Sequence, residues 1–117
     1  MLNDMQLMGE ATRQLTGFVP RFFRPPYGVT NPNLRKAIKS GGYISIGWSV
    51  RSMDTVIKSE EKLFKKISRA VQPGAIFLFH DTSHTTLGML PRFINRVRSE
   101  GYEIVRLDKM LSQNAYA

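Results

Sequence analysis

Ile76-Phe77-Leu78-Phe79-His80-Asp81 is an apolar run that stops at a histidine followed by an acid. Such a run reads as a strand buried on both faces, and its last residues emerge at the strand's C-terminal end, where α/β folds place their chemistry. A titratable group is thereby aimed at a cleft. Working outward from this stretch, Pro73-Gly74 closes a helical segment on its N-terminal side, and Leu90, Phe93, Ile94 and Val97 fall at i, i+3, i+4 and i+7 on its C-terminal side. That second helix ends at Gly101, and Tyr102 to Arg106 reads as a final strand.

Upstream, Ser59 caps a helix with Glu60 and Glu61 in its first turn and Lys65, Lys66 and Arg69 later, charges matched to the helix dipole at both ends. Leu63, Phe64, Ile67 and Val71 supply its buried stripe. Tyr43 to Val50 alternates with period two and reads as one strand. Before it, Asn31-Pro32 starts a helix whose apolar face is Leu34, Ala37 and Ile38, stopped by Gly41-Gly42. Arg21-Phe22-Phe23 reads as a short strand ended by Pro25-Pro26, and residues 2 to 15 as a helix. Regular alternation of helix and strand predicts parallel strands joined by crossovers, an α/β fold. About four strands make an arc of a barrel, because a closed (β/α) barrel takes about 250 residues and the chain has 117.

Composition narrows the function classes. A chain of this length forms one domain, residues 1–117, with a modest core. There is no cysteine, so disulfides and thiolate ligation are excluded. The first residues carry no basic leader and an early Asp4, so they are not a secretory signal, and no apolar run approaches membrane-spanning length; the compartment stays open. The net charge of +8 suits an anionic partner, but lysines and arginines alternate with acids on helical segments and no nucleic-acid motif is present. They read as solvated helix faces, and neither nucleic acid nor membrane is an expected partner.

Three motif blocks then appear in order: Arg24-Pro25-Pro26-Tyr27, the segment from Trp48 through Asp54-Thr55, and Leu78-Phe79-His80-Asp81. In this the chain resembles the catalytic domain of polysaccharide deacetylases, the chitooligosaccharide deacetylase (NodB) homology domain of carbohydrate esterase family 4. The resemblance runs from about residue 18 to the end and implies the second half of a distorted (β/α)7 barrel. It implies removal of acetyl groups from a glycan such as chitooligosaccharide, peptidoglycan or xylan, with a divalent metal, zinc or similar, in the complete enzyme. Two further family blocks, carrying the paired aspartates with the general base and the metal-binding histidines, have no counterpart in these residues. No metal is therefore expected in this chain alone, and the chain alone is expected to be inactive.

By that resemblance His80 is the acid that protonates the departing amine, Asp54 the carboxylate that holds its ring, and Arg24 the guanidinium that fixes the catalytic aspartate of the missing block. Tyr27 lends its backbone N–H to the oxyanion site, and Trp48 and Leu78 line the pocket for the acetyl group and sugar. Read from the residues alone, His80 is equally a strand-end histidine with one hydrogen bond, Arg24 a solvated arginine, Tyr27 a packing ring, and Trp48 and Leu78 core. Arg51 and Thr55 depart from the family's usual aspartate and tryptophan at their positions. His80 and His84 have the His-x-x-x-His spacing of a metal pair, but residues 81 to 86 read as a Thr- and Ser-rich loop, which sets that reading aside. From another class, a partial barrel with open strand edges invites glycan or partner binding and a homodimer or domain-swapped assembly.

Overall fold

A computed structural model describes residues 2–26 and 31–116. The elements run α1 (Leu2–Thr16), β1 (Phe22–Phe23), α2 (Pro32–Ser40), β2 (Ile44–Ser45), β3 (Val50–Arg51), α3 (Glu60–Ser68), β4 (Phe77–Leu78), α4 (His84–Ser99) and α5 (Leu107–Leu111). They gather into two compact units, residues 1–47 with 107–117, and residues 48–106. In both units the architecture is α/β, with a two-stranded parallel sheet joined through a helix. No helix among the described residues is long and apolar enough to cross a membrane.

In the first unit, Asn31 caps α2 by accepting the Leu34 N–H at 2.8 Å, and Pro32 begins the helix with φ already suited to it. Leu34, Ala37 and Ile38 face inward and pack with Met5 of α1, covered by Leu2, Phe23 and Tyr43. The helix stops where Gly42 takes φ +70°, a conformation open to glycine at little cost. Gly41 lies so close to the Tyr43 ring and Leu2 that a Cβ there would collide with both. The chain returns as β2, parallel to β1, with Phe22 opposite Ile44 and Phe23 opposite Ser45.

The second unit is built on the same plan with a larger core. Ser59 caps α3 through the Lys62 N–H, and Leu63, Phe64 and Ile67 meet Met89, Phe93 and Val97 of α4. The spacings 63/67 and 89/93/97 put each set on one helix stripe. Phe77 and Phe79, two residues apart on one face of the β4 segment, set their rings edge-on to Phe93 at 5.2 and 6.1 Å between centroids. β3 and β4 pair in parallel, Val50 opposite Phe77 and Arg51 opposite Leu78.

Three expectations are corrected. The single strand over 43–50 is two strands in separate sheets. Its alternation is indifferent to a break, and between the two pieces the backbone finds other partners: Gly47 C=O accepts from Arg24, and Ser49 Oγ accepts the Ile76 N–H at 2.9 Å. Residues 102–106 form no strand among the described residues. The Tyr102 N–H closes α4 onto the Val97 carbonyl, Ile104 and Val105 are exposed, and the short helix α5 follows. The sheet of about four strands is accordingly two ladders of two strands each.

Candidate active site

The parallel pairing of β3 and β4 carries both segments to the same end of the ladder, and the groups of interest stand just beyond it, two residues past β4 and three past β3. On the β4 side the chain reaches His80. On the β3 side it passes Ser52, bends through Met53 at φ +62°, and reaches Asp54. Ser52 ties the two segments together, its hydroxyl donating to the Leu78 carbonyl at 2.6 Å and accepting from the Asp54 N–H at 3.3 Å. From α3, Lys66 Nζ donates to the carbonyls of Arg51 and Ser52 at 2.6 and 3.2 Å.

Asp54 is 1% exposed, and every oxygen it has is used. Oδ1 accepts from the His80 ring Nδ1 at 2.8 Å. Oδ2 accepts from the His80 backbone N–H at 2.7 Å and from the Thr86 hydroxyl at 2.7 Å. Its backbone carbonyl accepts from the Ser83 hydroxyl at 2.9 Å. Burial pushes the Asp54 carboxyl up, but the bonds from the His80 ring, the His80 backbone and Thr86, with the attraction of an imidazolium, outweigh it and hold the group below the usual carboxylate range. A carboxylate can only accept, so the shared proton sits on Nδ1 of His80. The His80 side chain is 48% exposed, and Nε2 has no partner among the described residues.

The remaining expected residues are placed as follows. Arg24 belongs to the first unit, where it is exposed and donates to the Gly47 carbonyl at 3.2 Å. Tyr27 lies outside the described residues. Trp48 is half-buried at the start of the second unit, and Leu78 is half-buried in β4. Arg51 is exposed, and Thr55 is exposed beside Asp54. The loop read over 81–86 is corrected: α4 already begins at His84, capped by Ser83, whose hydroxyl accepts the Thr86 N–H at 3.1 Å. Ser52, Ser83, Thr86 and Lys66 were not singled out by sequence. The cap preference of Ser83 was the available signal.

No family model matches the chain. Over 111 residues, 95% of its length, it is 34% identical to the peptidoglycan-N-acetylglucosamine deacetylase PgdA of Listeria monocytogenes, of which it covers 23%. A family 4 carbohydrate esterase from Streptomyces lividans, solved with acetate, superimposes with TM-score 0.74 at 30% identity, over 86% of this chain and 54% of that one. The Bc1960 peptidoglycan N-acetylglucosamine deacetylase gives 0.86 at 24% identity, over 97% and 55%. The chain belongs to the polysaccharide deacetylases of carbohydrate esterase family 4. It spans about a quarter of the length of PgdA and about half of the solved deacetylase chains.

Deacetylases of this family are generally metal-dependent, and the donor set here does not fit a metal centre. Among the described residues no group of three or more His, Cys, Asp or Glu side chains is placed to hold an ion. His80 directs Nδ1 at Asp54, and His84 opens α4. The pair His80/His84 therefore gains no third ligand.

Proposed function

We propose that the Asp54–His80 pair is the proton-donating side of a glycan deacetylase site, acting on acetyl amide or ester groups of a polymer such as peptidoglycan, chitooligosaccharide or xylan. The observation that carries this reading is the buried, fully bonded carboxylate 2.8 Å from Nδ1 of a half-exposed histidine. Water adds its oxygen to the acyl carbon, the bond to the sugar nitrogen or oxygen breaks, and the leaving atom takes the proton from His80 Nε2. Asp54 stays ionised throughout and stabilises the imidazolium that donates. Arg24 is the orienting guanidinium, Tyr27 an oxyanion donor, and Trp48 and Leu78 walls for the acetyl methyl and the sugar. Both units are portions of one catalytic domain, the second half of a (β/α)7 barrel, and the base and the metal ligands come from residues other than these.

On this reading the 117-residue protein does not by itself turn over substrate. Acetate release from a chitooligosaccharide is to be measured with the purified chain in metal-replete buffer, against His80→Ala. Equal, background rates are expected. Release well above the His80→Ala rate overturns the claim of inactivity.

A second reading is favoured by the sheets themselves. Each consists of only two paired strands among the described residues, which leaves outer edges open to pairing with another chain. A non-catalytic module that binds glycan or a partner and self-associates through those edges accounts for this. Light scattering after size exclusion separates the two: a monomer at all concentrations removes self-association.

A further inference from the structure

The peptide units that carry the chain from β3 to Asp54 are held in different ways. The unit joining Arg51 to Ser52, at the end of the ladder, has its carbonyl on Lys66 Nζ at 2.6 Å. The unit joining Met53 to Asp54 is held on both sides: its carbonyl accepts from the Val56 and Ile57 N–H groups at 3.0 and 2.9 Å, and its N–H donates to Ser52 Oγ at 3.3 Å. Between them, the unit joining Ser52 to Met53 makes a single hydrogen bond among the described residues, from Lys66 Nζ to the Ser52 carbonyl at 3.2 Å.

This middle unit is the one with a reason to turn. A planar peptide can rotate as a plate, changing ψ of the residue before it and φ of the residue after it together, and type I and type II turns differ by such a rotation. Here the residue after it is Met53, which holds φ +62° with a side chain, and rotation toward negative φ relieves that conformation. The same rotation swings the Ser52 carbonyl off Lys66 and displaces Asp54, whose Oδ1 lies 2.8 Å from His80 Nδ1. Lys66 is placed to oppose it. On the same helix Leu63 and Ile67 are fully buried in the core shared with α4, so the base from which Lys66 reaches is fixed. The ammonium groups of Lys62 and Lys65, by contrast, are on exposed residues and make no hydrogen bond among the described residues.

We propose that Lys66 is a positioning residue of the Asp54–His80 pair, latching the Ser52–Met53 peptide against the rotation that would draw the carboxylate away from His80. The ammonium acts through the backbone that carries Asp54. Its part in proton donation rests on the reading of the pair given above, whereas the latch rests on hydrogen bonds and backbone geometry alone. Arginine, with its forked donors, can hold the same two carbonyls. Methionine, with an apolar stem and no donor, cannot.

The test is NMR of the ¹⁵N-labelled chain, read at the lysine ammonium groups and at the neutral His80 ring. In the native chain the Lys66 Nζ hydrogens are expected to exchange with water about tenfold more slowly than those of Lys62, and the His80 proton to sit on Nδ1. In Lys66→Met the ratio of the Nδ1–H to the Nε2–H tautomer falls about tenfold, with amide shifts remote from residues 51–54 unchanged. Lys66→Arg keeps the native ratio. Adding Met53→Gly to Lys66→Met recovers part of it, because glycine takes φ +62° without strain and leaves less for the latch to oppose. A side chain that only packs gives no change in Lys66→Met and no coupling to position 53. A native tautomer ratio in Lys66→Met, or an equal loss with and without Met53→Gly, overturns the proposal. So does exchange at Lys66 as fast as at Lys62, a measurement on the native chain that decides the matter even where Lys66→Met does not fold. None of these readouts involves turnover, so they judge the latch whether or not the pair is catalytic.

Discussion

Thr86 Oγ1 donates to Asp54 Oδ2 at 2.7 Å across 32 residues of sequence, while His80 takes the other oxygen of the same carboxylate. α4 and the end of β4 are therefore joined through one buried acid. Its replacement affects both elements at once.

Asp54→Asn keeps the shape but turns one acceptor oxygen into a donor facing groups that themselves donate. An uncompensated buried group of this kind costs about 3 kcal/mol. Urea unfolding followed by circular dichroism reads this directly, and a loss below about 1 kcal/mol is incompatible with the bonding described.

The pH dependence has a definite sign. Asp54 is held below its ordinary value in the folded chain, so its stabilisation is complete above the unfolded carboxylate pKa of about 3.9 and fades as pH falls through the lower folded value. The stability gap between the native chain and Asp54→Asn is expected to narrow as pH falls below about 4. A gap that widens as pH falls below about 4 contradicts the direction.

Met53 holds φ +62° with a side chain, a conformation that glycine adopts freely. Met53→Gly relieves strain of about 1 kcal/mol against a comparable entropy loss, so stability stays within about 1 kcal/mol of native. Met53→Val, β-branched in the same backbone, costs about 2 kcal/mol or more. Thermal unfolding of the two variants ranks them.

Ser68 buries a hydroxyl with no hydrogen-bond partner among the described residues. Ser68→Ala removes that unmet polar group and improves helix propensity at the end of α3, and a gain of about 1 kcal/mol is expected. A loss of stability shows that the hydroxyl has a partner after all.

The helices were legible because their signals are local. Asn31-Pro32 and Ser59-Glu60-Glu61 start α2 and α3 where they stand, and Leu63, Phe64 and Ile67 do face the core. The strands were not, because period-two alternation over 43–50 says nothing of which neighbour each residue pairs with, and Tyr102 to Arg106 looked like a strand without having a ladder to join. Around the site, hydroxyl residues misled. Thr82, Ser83, Thr85 and Thr86 favour loops by composition, yet Ser83 and Thr86 are buried and bonded to Asp54. The association of positions 54 and 80, 26 residues apart, came from family resemblance, since spacing alone cannot bring two strand ends together.

Ser83 is the residue with least freedom to change. Its one oxygen accepts from Thr86 to begin a helix and donates to the Asp54 carbonyl to seat a loop, so alanine forfeits both and a bulkier cap such as asparagine must satisfy two geometries together. Threonine alone offers the same pair of bonds. A saturation library at this position should therefore return serine and threonine almost exclusively, even when the selection is for folding and not for any chemistry.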